Sequence, residues 1–157
     1  MVEAFECTHK LKIIKENIMF ALRAFIAGFI ATLLFHQGLF SLFYSLGTVP
    51  VPAFNMTPSQ PLGVPAVISL AFWGGLWGLP VAYWIRQSQG GVYWLKATLI
   101  GAIGPTAVAM LIVFPMKGLP VEMKTIIGGL LLNGAWGLGV AIFMRWPSAT
   151  ANTSVSD

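Results

Sequence analysis

An apolar segment of fifteen residues occurs twice in this chain and constrains the fold more than any other feature. Residues 72–86 read FWGGLWGLPVAYWIR, and residues 131–145 read LLNGAWGLGVAIFMR. Each copy ends at an arginine, which is typical of a membrane helix that reaches the lipid–water interface. The repeat predicts two tandem, parallel helical hairpins, each closed by the same kind of span. Seven of the fifteen aligned positions are identical: Gly75/Gly134, Trp77/Trp136, Gly78/Gly137, Leu79/Leu138, Val81/Val140, Ala82/Ala141 and Arg86/Arg145.

The first halves of the two hairpins match only loosely. Residues 23–28 read RAFIAG, and residues 96–101 read KATLIG. An alternative explanation of the repeat is that Trp and Gly recur by composition in any glycine-rich membrane helix.

The composition indicates an integral membrane protein. Of 157 residues, 57% are hydrophobic and only 9% are charged, and the mean hydropathy is +0.79. A typical soluble domain carries about 25% charged residues. We therefore expect an all-α, integral membrane four-helix bundle in contact with the lipid bilayer. The net charge of +4 comes from residues at the ends of apolar runs, so it does not indicate nucleic-acid binding.

The predicted spans cover residues 18–45, 64–85, 92–114 and 125–146, each long enough to cross a bilayer. Residues 1–17 form a cytoplasmic arm, either a partly ordered tail continuous with the first span or a helix with a weak apolar face on the membrane. Its mixed charges do not fit a signal peptide. Residues 147–157 are predicted to be disordered. The connection at 46–65 has five prolines and no charge, so it either lies against the membrane surface or dips into the bundle.

The basic residues predict the orientation. Seven of them fall on one side of the predicted spans and two on the other, which places both termini in the cytoplasm. On the first side are Lys10, Lys12, Lys15, Arg23, Arg86, Lys96 and Arg145, and on the other are Lys117 and Lys124.

Small residues at helical spacing predict close packing between spans. Ala24, Gly28, Thr32 and His36 share one helix face by their i, i+4 spacing, and other spans carry similar ladders. Pro80 and Pro105 lie inside predicted helices and are expected to kink them. The glycines assigned to helix packing are Gly28, Gly74, Gly78, Gly101, Gly129 and Gly137.

Four polar residues within the spans are the candidates for chemistry: Thr32, His36, Gln37 and Asn133. An ionisable group such as His36 is expensive in lipid and is a functional candidate by default. Proton relay, metal or heme ligation and quinone binding are all compatible with it, but no intramembrane partner accompanies it. The simpler reading is a neutral histidine that is hydrogen-bonded to Thr32, Gln37, Asn133 or a carbonyl. We predict no catalytic residue, no metal site and no cofactor; the lone Cys7 excludes an intrachain disulfide.

Three motifs together resemble a group of small bacterial inner-membrane proteins. They are residues 27–38, which include FHQG, then PLGVP at 61–65 and FWGGLWG at 72–78. The resemblance covers roughly residues 20–86. It implies four spans and a bacterial inner membrane. No function is assigned to the group, so no site residue carries over.

Three hypotheses of function follow. The first is a non-enzymatic membrane protein that acts through helix packing, either as an accessory or scaffold subunit of a complex or as a homo-oligomer. The second is a small oligomeric channel or carrier in which His36, Gln37 and Asn133 line the path. The third is a protein that binds a lipid or a quinone.

Overall fold

The computed structural model describes residues 2–60 and 62–146 of the chain, and its regular secondary structure there consists of helices and one short hairpin of strands. The helices are α1 (Val2–Ala31), α2 (Gln37–Ser45), α3 (Ala66–Ile85), α4 (Gly90–Val108), α5 (Phe114–Met116) and α6 (Met123–Arg145). A π-helical turn joins α1 to α2 (Thr32–His36), and a second joins α4 to α5 (Ala109–Val113). The strands β1 (Pro58–Ser59) and β2 (Val64–Pro65) pair antiparallel.

Four helical segments are long and apolar enough to cross a membrane, which confirms the predicted all-α membrane bundle. They are the first span, Glu6–Ser45; the second, Ala66–Ile85; the third, Gly90–Met116; and the fourth, Met123–Arg145. Helix α1 is continuous from Val2 into the first span, so residues 2–17 extend that helix. The predicted disordered tail at 147–157 lies outside the described residues.

Each pair of consecutive spans packs as a hairpin, and equivalent glycines make equivalent contacts. In the first hairpin, a methyl group on Gly78 would lie 3.2 Å from the Cα of Gly28 and would also meet the carbonyl of Ala24. In the second, a methyl group on Gly137 would lie 3.0 Å from the Cα of Gly101 and would meet the carbonyl of Ala97. The backbones touch directly in both hairpins. The sequence repeat is therefore also a repeat of packing contacts.

The two hairpins join chiefly through the first and fourth spans. The Trp136 indole N–H donates a buried hydrogen bond of 2.9 Å to the Gly28 carbonyl. The rings of Phe35 and Phe143, on the same two spans, also meet edge to face with centroids 6.1 Å apart. Val81, Ile85 and Val140 are the largest fully buried side chains, and the apolar core to which they belong includes residues from all four spans.

The bundle has two chemically different ends. At the arginine end (Arg23, Arg86, Arg145 and residues 86–89), the Arg23 guanidinium donates to the Trp146 carbonyl. Arg145 stacks on Tyr93 at 4.0 Å from the ring centroid. At the connection end lie residues 46–65 and the turn at 117–122, which joins the third span to the fourth.

Pro80 and Pro105 both lie inside helices that continue through them, α3 and α4 respectively. Each ring removes one backbone donor from its helix. The π turn at Ala109–Val113 begins four residues after Pro105, so the third span departs from regular α-helix just beyond the proline.

Candidate functional site

The four polar candidates do not form one cluster. Thr32 donates from its hydroxyl to the Gly28 carbonyl of its own helix, at 2.9 Å. Asn133 donates from Nδ2 to the hydroxyl oxygen of Thr106 on the third span, also at 2.9 Å. His36 and Gln37 lie together at the end of the first π turn. No hydrogen bond given by the structure links His36 to Asn133 or to Thr32.

The π turn at Thr32–His36 changes which side chain faces the bundle. The Gln37 N–H bonds to the Thr32 carbonyl, five residues back instead of four. One extra residue is thereby inserted into the turn. The prediction that His36 continues the face of Gly28 and Thr32 is therefore wrong, because Gln37 takes that place. Gln37 is 6% exposed, whereas His36 is only half-buried.

Gln37 binds the connection to the first span. Its side-chain Oε1 accepts a hydrogen bond of 2.7 Å from the backbone N–H of Phe54. Phe54 has φ = +56°, a left-handed conformation that bulky residues rarely adopt. A side-chain acceptor within the first span thus satisfies a backbone donor in an irregular segment.

The connection also caps the start of the second span. The first backbone donors of a helix have no partner inside it. Here Ala66 N–H donates to the Thr57 carbonyl at 3.0 Å, and Val67 N–H donates to the Asn55 carbonyl at 2.9 Å. Within the connection, the Thr57 N–H donates to the Asn55 side chain, and the Ser59 hydroxyl donates to the Val64 carbonyl. The described residues of this connection, 46–60 and 62–65, are therefore a folded cap on the second span.

His36 makes one side-chain contact of hydrogen-bonding length. Its Nδ1 lies 3.4 Å from Nε2 of Gln37. Because Oε1 of Gln37 faces the Phe54 N–H, its Nε2 faces His36 as a donor, and Nδ1 is then the acceptor. The tautomer that matches this contact carries its proton on Nε2. His36, Gln37 and Phe54 form a short chain of hydrogen bonds at the connection end.

The serines that follow Gln37 are satisfied within their own helix. Ser41 Oγ donates to the Gln37 carbonyl and Ser45 Oγ to the Ser41 carbonyl, each at 2.9 Å. Hydroxyl groups bonded back to the preceding turn leave no donor directed at a solute. This line of side chains belongs to the helix and does not edge a polar cavity.

Sequence reasoning did not predict the hydrogen bonds between spans that are made by Thr106, Tyr93 and Trp136. Thr106 is 3% exposed and accepts from Asn133. The buried Tyr93 hydroxyl donates to the Ala141 carbonyl at 2.8 Å. Trp136 links the hairpins through its indole N–H. Trp136 and Trp77 occupy equivalent positions in the sequence repeat, but the structure gives them different contacts. The Trp136 indole donates a hydrogen bond to the other hairpin, whereas the Trp77 ring packs against Gly104.

The described residues contain no group of three His, Cys, Asp or Glu side chains placed to hold a metal ion. Every buried side-chain nitrogen or oxygen atom in that part of the chain has a hydrogen-bond partner. Comparison with protein families, with curated proteins and with solved structures finds no match to this chain.

Proposed function

We propose that this chain is a non-enzymatic, multi-pass protein of a bacterial inner membrane that acts through helix packing. It serves as an accessory or scaffold subunit of a larger membrane assembly, or it assembles with itself. One observation carries this proposal. Thr32, Gln37 and Asn133, the polar side chains best placed to bind a solute, are each engaged by a group of the same chain.

The outward faces of the spans support the same function. Side chains at i+4 spacing on the third span, Leu95, Leu99 and Ile103, are all about half exposed or more and are all apolar. Such a face suits contact with lipid or with another membrane helix, where association depends on van der Waals packing. The partners we propose are other membrane subunits or further copies of this chain, and no nucleic acid.

The proposed orientation places the arginine end, and with it both termini, in the cytoplasm. The support is the clustering of Arg23, Arg86 and Arg145 at one end of the bundle, because positive charge concentrates on the cytoplasmic side. The resemblance to small bacterial inner-membrane proteins supports the location.

The single cysteine offers a direct test of this orientation. Cys7 is exposed on α1 beyond the arginine end. A membrane-impermeant maleimide should leave Cys7 unlabelled in intact spheroplasts and label it after lysis. The matched control is Lys117→Cys in a Cys7→Ser background, which should be labelled in intact spheroplasts. The reverse pattern would overturn the orientation.

His36→Ala separates a packing function from transport. If His36 only supports the Gln37 contact, the substitution lowers thermal stability or assembly. Neither the wild type nor the variant should then give ion or solute flux above that of empty liposomes. A wild-type flux that disappears in His36→Ala, while the variant keeps its oligomeric size, would instead establish the channel or carrier hypothesis.

A further inference from the structure

The connection at 46–65 does not simply leave the membrane at the end of the first span. The first span ends at Ser45, eight residues beyond Gln37 along α2. At 1.5 Å per residue, Gln37 lies about 12 Å back from that end. Phe54 nevertheless bonds to the Gln37 side chain. The chain therefore turns back and descends beside the first span by roughly two helical turns.

The short second span leaves the space that this descent fills. The second span has 20 residues, whereas the third has 27, and the two are joined at the arginine end by only a few residues. The difference of seven residues corresponds to about 10 Å of helix. The second span therefore begins well below the end of the third, and the folded connection occupies the level of the missing turns.

The third span shows what surrounds the bundle at that level. Its last turns, beyond the level at which the second span begins, include Leu111 (76% exposed), Ile112 and Met116 (81% exposed). These are large apolar side chains that point outward from a membrane-spanning helix. Lipid is the environment that suits such side chains, so the leaflet extends to the depth of the connection.

The connection has the chemistry of a segment at membrane depth. It contains no charged residue, and its apolar side chains point outward: Leu46, Val51, Phe54, Met56 and Leu62, the last 83% exposed. Its backbone donors at Phe54, Thr57 and Gly63 are paired within the chain, as are those of Ala66 and Val67. Irregular backbone in hydrocarbon needs such partners, and the N–H groups of Val51 and Met56 have none among the described residues. The segment therefore fits the boundary between acyl chains and headgroups, where water reaches the groups that the protein does not satisfy.

The turn at 117–122, which lies at the same end of the bundle, differs from the connection in its length and its charge. This turn is short and carries Lys117 and Glu122, and Lys124 lies two residues beyond its end. All three residues are exposed. Charged side chains are expensive in hydrocarbon, so this turn marks the aqueous boundary. The part of the connection that caps the second span, without charge and about 10 Å deeper, lies on the lipid side of that boundary.

We propose that residues 46–65 are a re-entrant segment embedded in the leaflet at the connection end, with phospholipid as its partner. Its outward side chains, Phe54, Met56 and Leu62, contact the lipid acyl chains near the headgroup boundary. Gln37 holds the segment at that depth from the protein side.

The test is site-directed spin labelling of the full chain in phosphatidylcholine–phosphatidylglycerol nanodiscs. In a Cys7→Ser background, labels at Met56→Cys and Leu62→Cys are compared with a lipid-facing label at Leu111→Cys. Aqueous labels at Lys117→Cys and Gln87→Cys complete the set. All five positions are exposed, so the substitutions leave the core intact. Each label is measured for collision with oxygen, which concentrates in lipid, and with a water-soluble nickel chelate.

The proposal predicts that labels at Met56 and Leu62 collide more with oxygen than with nickel, as the Leu111 label does, and unlike the Lys117 label. Collision mainly with nickel would place the connection in water and overturn the proposal. Low collision with both reagents would show that protein covers the segment, either a second copy or another subunit, and would overturn it equally.

Discussion

Gln37 owes its role to a single inserted residue. In a regular helix the residue that follows Gly28 and Thr32 on the same face would be His36. The π turn moves that face on by one residue, and Gln37 becomes the buried side chain. Its amide then bonds to Phe54 on one side and His36 on the other. Through the Gln37 side chain, the FHQ sequence links the first span to the connection.

Replacing Gln37 with methionine should release the connection while keeping the side-chain volume similar. The Phe54 N–H, whose hydrogen bond to Gln37 is partly buried, would lose its acceptor, at a cost of about 0.5–1.5 kcal/mol. We expect faster hydrogen–deuterium exchange in peptides from residues 46–65, with the other spans unchanged. The control, Gln87→Met in the exposed turn at the arginine end, should exchange like the wild type. Unchanged exchange in Gln37→Met would contradict the role assigned to this residue.

At the residue scale, sequence reasoning selected polar candidates within the spans but did not identify all of their partners. Thr32, His36, Gln37 and Asn133 were found because polar groups within apolar helices are rare and stand out. Their partners depend on which side chains face the bundle, and this changes at the π turn. The sequence TLLFH at residues 32–36 contains no signal that predicts such a turn. The hydrogen bond from Asn133 to Thr106 joins residues 27 positions apart, so it depends on the packing of two spans.

At the element scale, glycine determines how closely the helices of a hairpin approach. The Cα of Gly137 packs on Gly101, and Gly78 packs on Gly28 in the same way. The spans were predictable from hydropathy, and the small-residue faces were predictable from the i, i+4 spacing of glycine and alanine. The sequence left open whether the connection lies against the membrane surface or dips into the bundle. The sequence could not decide between them, because the decision depends on the acceptor that Gln37 supplies.

Alanine at Gly78 or Gly137 should destabilise the bundle to a similar extent. In each case the added methyl group meets backbone atoms, which cannot move aside as a flexible side chain can. We expect the free energy of unfolding, measured by SDS titration in mixed micelles, to fall by about 1–3 kcal/mol. The matched control is Gly128→Ala on the same helix as Gly137, since a methyl group there meets nothing within 4 Å. Equal losses at all three positions would contradict packing through glycine.

At the scale of the whole molecule, the two hairpins are similar units joined asymmetrically. Within a hairpin, backbones touch along a glycine face. Between hairpins, the contacts are made by larger side chains, such as Trp136 on Gly28 and Phe35 on Phe143. The bundle interior described here is closed by these contacts, so any assembly with other chains must use the outward apolar faces.

The two hairpins should remain associated after the peptide chain between them is cleaved. A protease site inserted between Ser88 and Gln89, in the polar turn at the arginine end, allows the folded full-length protein to be cleaved in detergent. We expect the two fragments to remain together on size-exclusion chromatography. Trp136→Phe, which removes the indole donor to Gly28, should let them separate at a lower detergent concentration. Fragments that separate immediately in the wild type would show that the hairpins are independent.

The central claim is that this protein acts by packing against other membrane helices, and native mass spectrometry of the complex tests it most directly. The chain would carry a tag on its C-terminal tail and would be extracted from its own membrane in mild detergent. We predict a complex with a mass well above the 16.9 kDa of one chain. The additional mass would come from a stoichiometric foreign subunit or from further copies of this chain. A single species of one chain with bound lipid alone would contradict the claim.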